Sequence, residues 1–204
     1  MKDVNVLMAG VGGYGVISAS DGMAEIGMNN GYDVKKSDSL GMAQRGGSVV
    51  SHVRWGKHVF SPMTKKGEVD FLLGFEQLEA GRWASYLRPN GVAIVADVVV
   101  IPISAIDGKV PYPSWDEIKG ILAQHTNQIY LIPATRITSE VGNPRAVNMV
   151  MLGFLSAFLE LESEAWTDGI RRRLPPKFME SSLEAFIKGA DEAKAMIPAK
   201  GIKK

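Results

Sequence analysis

The stretch Val4-Asn5-Val6-Leu7-Met8-Ala9-Gly10-Val11-Gly12-Gly13-Tyr14-Gly15 decides the fold class. Val4 to Met8 is a short apolar run suited to a buried strand. Glycines follow at once, and from there to about Met28 the chain has a helical pattern that Asn29, Asn30 and Gly31 end. Strand, glycine turn and helix in that order open an α/β fold. Gly10, Gly12 and Gly15 also fit G-x-G-x-x-G, and with Gly13 they let backbone N–H groups approach an anion at the positive end of a helix. Two readings stay open: a dinucleotide or other phosphate-bearing ligand, or a turn whose glycines serve close packing alone. A nicotinamide or flavin site adds an acid about 20 residues on, at the end of the second strand. Asp33 and Asp38 are near that distance, but Lys35 and Lys36 interrupt the region.

Working outward, Tyr32–Lys36 predicts a second strand and Ser37–Gly47 a loop rich in Ser and Gly. Ser48–Trp55 alternates as a half-exposed strand does, and Gly56-Lys57 suggests a hairpin into His58–Phe60. Val69–Phe75 is a buried-type strand, followed by a helix over Glu76–Leu87 and a turn at Arg88–Gly91. Val92–Val100 suits the centre of a parallel sheet. Ser114 and Glu117 form a capping box opening a helix to about Gln124, and Gln128–Ile132 is the last strand. Asn143 is the expected N-cap, with Pro144 at the first position, of an apolar helix through about Leu161. A final amphipathic helix spans about Phe178–Met196. The expectation is one domain over 1–204, a core to about 162 and a helical tail from about 163. Its fold is a three-layer Rossmann-like α/β domain with a mostly parallel sheet and a β-hairpin excursion.

Composition narrows the chemistry. The 204 residues carry 23 basic and 22 acidic side chains, so no global charge points to nucleic acid or an anionic membrane. With no cysteine, disulfides, thiolate nucleophiles and all-cysteine iron–sulfur or zinc sites are excluded from this chain. The N-terminus lacks the pattern of a signal peptide, and the apolar run Met149–Leu159 falls short of the ~18 residues of a membrane span, so a cytoplasmic protein is expected.

The segment Ser39-Leu40-Gly41-Met42-Ala43-Gln44-Arg45-Gly46-Gly47-Ser48 joins a permanent cation to an amide and to glycines that let backbone come close. That combination suits a carboxylate, a phosphate or a subunit contact; it also suits a plain turn with a surface arginine. Taken with Gly10–Gly15, it resembles the gamma-type subunits of 2-oxoacid:ferredoxin (or other acceptor) oxidoreductases, nearest the branch acting on indolepyruvate and phenylglyoxylate. Gly31-Tyr32-Asp33-Val34, Val53-Arg54-Trp55-Gly56, Pro133-Ala134-Thr135, Gly142-Asn143-Pro144-Arg145 with Asn148-Met149, and Pro175-Pro176-Lys177 follow the same pattern in order.

The resemblance implies a Rossmann-like layer in a complex whose other subunits bind thiamine diphosphate, magnesium and iron–sulfur clusters. Those subunits decarboxylate an aryl 2-oxoacid and pass the acyl group to coenzyme A. This chain is expected to hold no cofactor or metal alone and to be inactive alone. It would help close the site, with Arg45 and Gln44 contacting substrate or coenzyme A, which it would share with its partners. Gly10, Gly12, Gly13, Gly15, Gly46, Gly47, Asn143 and Arg145 are the candidate ligand-contacting residues. The Asn143–Arg145 segment is open to a second reading, a helix cap with an exposed arginine. His52, His58 and His125 are expected to be hydrogen-bonded or solvent-facing, Arg171–Arg173 a solvated or interface patch, and Met42, Met149 and Met151 packing residues. Two rivals remain: a stand-alone NAD(P)- or flavin-binding oxidoreductase, and a purely architectural subunit.

Overall fold

The computed structural model describes residues 3–40, 46–102 and 111–198. Strand β1 (Val4–Val11) runs into helix α1 (Val16–Asn29), as the opening stretch predicts. Then come β2 (Asp33–Leu40), β3 (Ser48–Gly56), β4 (Val69–Gly74), α2 (Gln77–Trp83), a 3₁₀ turn and β5 (Leu87–Ala96). Helix α3 (Trp115–Ala123), β6 (Gln128–Ile132), α4 (Ala134–Glu140), α5 (Val147–Ser156), α6 (Ser163–Arg173) and α7 (Pro176–Met196) complete the order.

One six-stranded sheet has the order β2-β3-β1-β4-β5-β6. β1, β4, β5 and β6 are parallel, and β3 and β2 extend the sheet antiparallel beyond β1. Alternation along the strands divides the interior in two. Val6, Met8, Leu73 and Ile94 face α1 and α5 through Met23, Val150 and Phe154. Leu7, Ala9, Leu72 and Val95 face α2 and α3 through Ala80, Ile118 and Leu122. Each fully buried aliphatic side chain stabilises by about 1.5–3 kcal/mol, so both helical layers are held chiefly by apolar burial.

The C-terminal helices close the larger face. Trp166 and Ile170 of α6 and Ala185, Phe186 and Ala193 of α7 belong to the same apolar cluster as β1. α5 and α7 meet backbone to backbone: a Cβ on Gly153 would lie 2.0 Å from the Phe186 carbonyl oxygen, and one on Gly189 would lie 2.2 Å from that of Val150. Glycine is the one residue that allows that approach.

Several elements differ from their sequence reading. β2 continues through Leu40, because Ser37–Leu40 find ladder partners in His52–Val49, a pairing their polar composition does not announce. β3 is buried on both faces, since it lies between β2 and β1 with α1 above it. The hairpin is β2–β3, and His58–Phe60 is not a strand. β5 begins at Leu87 and ends at Ala96; it passes Asn90 at φ 63, where a turn is predicted. Helix α4 is additional, and the expected helical tail consists of two helices, α6 and α7. The apolar helix starts at Val147, with Ala146 as its cap, because Asn143 opens a turn that the Ala146 N–H closes on the Asn143 carbonyl at 2.9 Å.

Candidate functional site

The connection after β1 leads through α1 to β2 at one edge of the sheet, and the connection after β4 leads through α2 to β5, on the other side of β4. α1 and α2 pack on opposite faces. The two chains therefore diverge at the carboxyl ends of β1 and β4 and leave a crevice, the position where open α/β sheets take ligands. The Phe75 N–H donates to the Ala9 carbonyl at 2.7 Å and ties the two strand ends together below it.

Both glycine segments reach this crevice. The Gly12 N–H donates to the Gly47 carbonyl at 2.9 Å, and the Gly46 N–H approaches the Gly12 carbonyl at 3.5 Å. Gly13 (φ 110) and Gly15 (φ 81) adopt left-handed backbone that other residues resist, and they turn the chain into α1. α1 has no side-chain cap and no acid in its first turn, so its leading N–H groups and positive dipole end remain available to an anion. A depression of about 260 Å³ lies beside them, lined by Gly12, Gly13, Val16, Ser18 and Val49 among others. From the other side Asn148 of α5 packs on Gly15; a Cβ there would meet its Nδ2 at 3.0 Å.

A group of carboxylates absent from the sequence reading borders the same crevice. Glu76, buried at the end of β4, caps α2 by accepting from the Glu79 N–H at 2.9 Å. It also accepts from the Val100 N–H at 3.2 Å and from the Tyr112 hydroxyl, so it ties down the segment that leaves β5. Burial, and then the Glu76 carboxylate, push the Tyr112 phenol above its ordinary range. Glu79, also buried, accepts from the Ser48 hydroxyl at 2.6 Å and pairs with Arg82 at 2.6 Å. The legible signal was Glu76-x-x-Glu79 directly after β4, a spacing that marks a helix start.

Gly12, Gly13, Gly15, Gly46 and Gly47 thus converge. Gly10 does not line the crevice: it is buried within β1, where a Cβ would press on Phe75 at 2.8 Å and on Val16 at 2.9 Å. Arg45 and Gln44 lie outside the described residues. Asn143 turns to α7, donating from Nδ2 to the Ser181 hydroxyl at 3.0 Å, and Arg145 is exposed; neither is seen to touch the glycine segments.

His52 is buried, accepting at Nδ1 from the Thr64 N–H at 3.3 Å, and burial holds its pKa low; His58 is exposed. Arg173 pairs with Glu25 of α1 and Arg171 with Asp168. Among the described residues no three His, Asp or Glu side chains gather as a metal site needs.

The dinucleotide reading loses its second element. β3, not β2, is the neighbour of β1 in the sheet, and Ser48, preceded by Gly47, stands opposite Val11 at the end of the first strand. Asp33 is engaged with Lys35 and the Val59 N–H, and Asp38 with Lys36 and Ser51. A separate cleft of about 280 Å³ lies at the opposite, amino end of the parallel strands, between Tyr32, Trp55, Phe71 and Phe158 with the Asp70–Arg88 ion pair at its edge.

Comparison with known proteins points one way. Residues 5–192 match the family described as pyruvate ferredoxin/flavodoxin oxidoreductase. The chain is similar to indolepyruvate oxidoreductase subunit IorB of Pyrococcus horikoshii, 34% identical over 97% of this chain and 99% of that one. Its fold superposes on the gamma subunit of a keto/oxoacid ferredoxin oxidoreductase from Geobacter sulfurreducens with a TM-score of 0.70, at 25% identity over 94% of this chain and 99% of that one. It also shares the fold of part of a 2-oxoglutarate:ferredoxin oxidoreductase from Magnetococcus marinus, solved with 2-oxoglutarate, coenzyme A and succinyl-CoA bound. The TM-score is 0.73 and the identity 21%, over 98% of this chain and 32% of the other.

Proposed function

The chain belongs to the pyruvate ferredoxin/flavodoxin oxidoreductase family, and from that membership we propose that it is the small, non-redox subunit of a cytoplasmic indolepyruvate-type 2-oxoacid oxidoreductase. What carries this reading is the full-length likeness to indolepyruvate oxidoreductase subunits. The reaction it serves breaks the bond between the carboxylate and the keto carbon of an aryl 2-oxoacid such as indolepyruvate or phenylglyoxylate. Carbon dioxide leaves, the acyl carbon forms a thioester with coenzyme A, and two electrons pass to ferredoxin or another acceptor. Thiamine diphosphate with magnesium would supply the carbanion stabilisation, and iron–sulfur clusters the electron path. A chain of 204 residues without cysteine offers clusters no thiolate ligands, so the clusters would belong to partner subunits, and the family resemblance assigns thiamine diphosphate and magnesium to partners as well.

The role of this single-domain chain is to complete the active site. The joined glycine segments present backbone N–H groups, and Arg45 with Gln44, which precede Gly46 in sequence, would meet the substrate carboxylate or a coenzyme A phosphate through a planar, permanently charged fork. Anaerobic affinity purification of the tagged chain tests the proposal. Recovery of a thiamine-diphosphate-binding subunit, with indolepyruvate- and coenzyme A-dependent reduction of ferredoxin by the recovered complex, is expected. An isolated chain that turns over substrate alone would overturn it.

A further inference from the structure

Glu79 stands at the third position of α2, with Glu76 as the cap. A glutamate at that position ordinarily turns back to the N–H of its own cap residue, and in α3 of this same chain Glu117 does so, accepting from the Ser114 N–H at 2.7 Å. Glu79 instead reaches across the crevice to the Ser48 hydroxyl, 31 residues away in sequence, while Arg82 balances its charge from the solvent side. Ser48 pairs with Val11 of β1, and the preceding residue, Gly47, accepts from Gly12. The contact therefore falls where the two glycine segments meet. A buried carboxylate is costly unless each of its oxygens is satisfied, and both Glu79 oxygens are taken up here, one by Ser48 and one by Arg82.

We propose that Glu79 is a positioning residue: through Ser48 it clamps the end of the second glycine segment against α2 and sets where Gly46 and Gly47 stand beside Gly12. The inference rests on the reading of that loop as the substrate-facing part of the subunit.

The test uses the intact oxidoreductase complex and measures KM and kcat separately for the 2-oxoacid and for coenzyme A in Ser48→Ala, Glu79→Gln, Glu79→Ala and Arg45→Lys. Ser48→Ala removes a single hydroxyl. It is expected to raise about tenfold, the scale of one hydrogen bond to a charged group, the KM of the same substrate that Arg45→Lys affects, with kcat within about twofold. Glu79→Gln keeps an acceptor for Ser48 and is expected to recover most of what Glu79→Ala loses. Should Glu79→Ala fail to assemble, Ser48→Ala decides. If Ser48→Ala lowers only thermal stability, or alters the other substrate, the positioning role is wrong while the loop reading stands. If Arg45→Lys also leaves both KM values unchanged, the loop reading itself falls and takes this inference with it.

Discussion

The Gly12 N–H and the Gly47 carbonyl are 2.9 Å apart, so the turn that begins α1 and the Gly46-Gly47 segment that leads into β3 form one backbone surface at the mouth of the sheet. Glycines in this chain are required for two different reasons, left-handed backbone here and close helix packing elsewhere, and substitutions separate them. Gly13 has φ 110 and Gly46 φ 76, yet a Cβ on either meets nothing within 4 Å. Gly13→Ala and Gly46→Ala should therefore cost backbone strain alone, about 1–3 kcal/mol each. Urea midpoints at unchanged slope measure this; a wild-type midpoint in both would contradict it.

Where α5 crosses α7 the constraint is steric. Gly153→Ala drives a methyl group toward the Phe186 carbonyl, and the helices must separate, with a loss of about 3 kcal/mol or more. Chemical denaturation compares it with Gly120→Ala, whose Cβ meets nothing within 4 Å and which should be neutral or stabilising. Similar stability changes in the two variants would refute the close crossing.

Tyr112 donates to the buried Glu76 and accepts from the Leu78 N–H at 3.1 Å. Phenylalanine at this position leaves both groups short of a partner, at a cost of about 1–3 kcal/mol. The Tyr112 phenol, displaced upward, should also stay protonated when exposed tyrosines ionise near pH 10. Spectrophotometric titration of wild type against Tyr112→Phe would show identical amplitudes near pH 10 if this holds, and one tyrosine fewer in the variant if it does not.

Burial first, and the charge of Arg54 second, hold His52 below its ordinary range. A base with a depressed folded pKa takes up its proton more readily when the chain unfolds. Its contribution to stability is therefore present above the unfolded value, about pH 6.5, and is lost as the pH falls through the folded value. Thermal melts at pH 7.5 and pH 5 should show a larger drop for wild type than for His52→Gln, and equal drops would remove His52 as the cause.

Arg45→Lys keeps the charge and loses the planar fork. In the purified complex kcat/KM should fall about tenfold or more while the subunits still co-purify. Loss of assembly with normal turnover in the residual complex would instead make the loop architectural.

How far the sequence spoke depended on how local the cause was. The β1–turn–α1 unit, the Ser114–Glu117 capping box and the Gln128–Ile132 strand were legible, because each rests on residues within one element. Ser37–Leu40 were missed as strand, since what makes them one is the β3 backbone opposite. Asn143-Pro144 imitates a helix start, but the side chain is drawn to Ser181 of α7, 38 residues on. The glycines of the site were found by their spacing, whereas Ser48 and Glu79 could not be paired, as nothing local couples residues 31 positions apart.

By itself, then, the sequence determined the α/β class, the absence of any thiolate chemistry and the two glycine segments, because composition and short-range backbone preference act within a few residues. Tertiary structure alone decided that β3 separates β1 from β2, that the crevice opens between β1 and β4, and that Glu79 clamps the end of the second glycine segment from α2. Those outcomes come from strand pairing and burial across the whole chain, where the lowest free energy is a property of the packed sheet and not of any one segment.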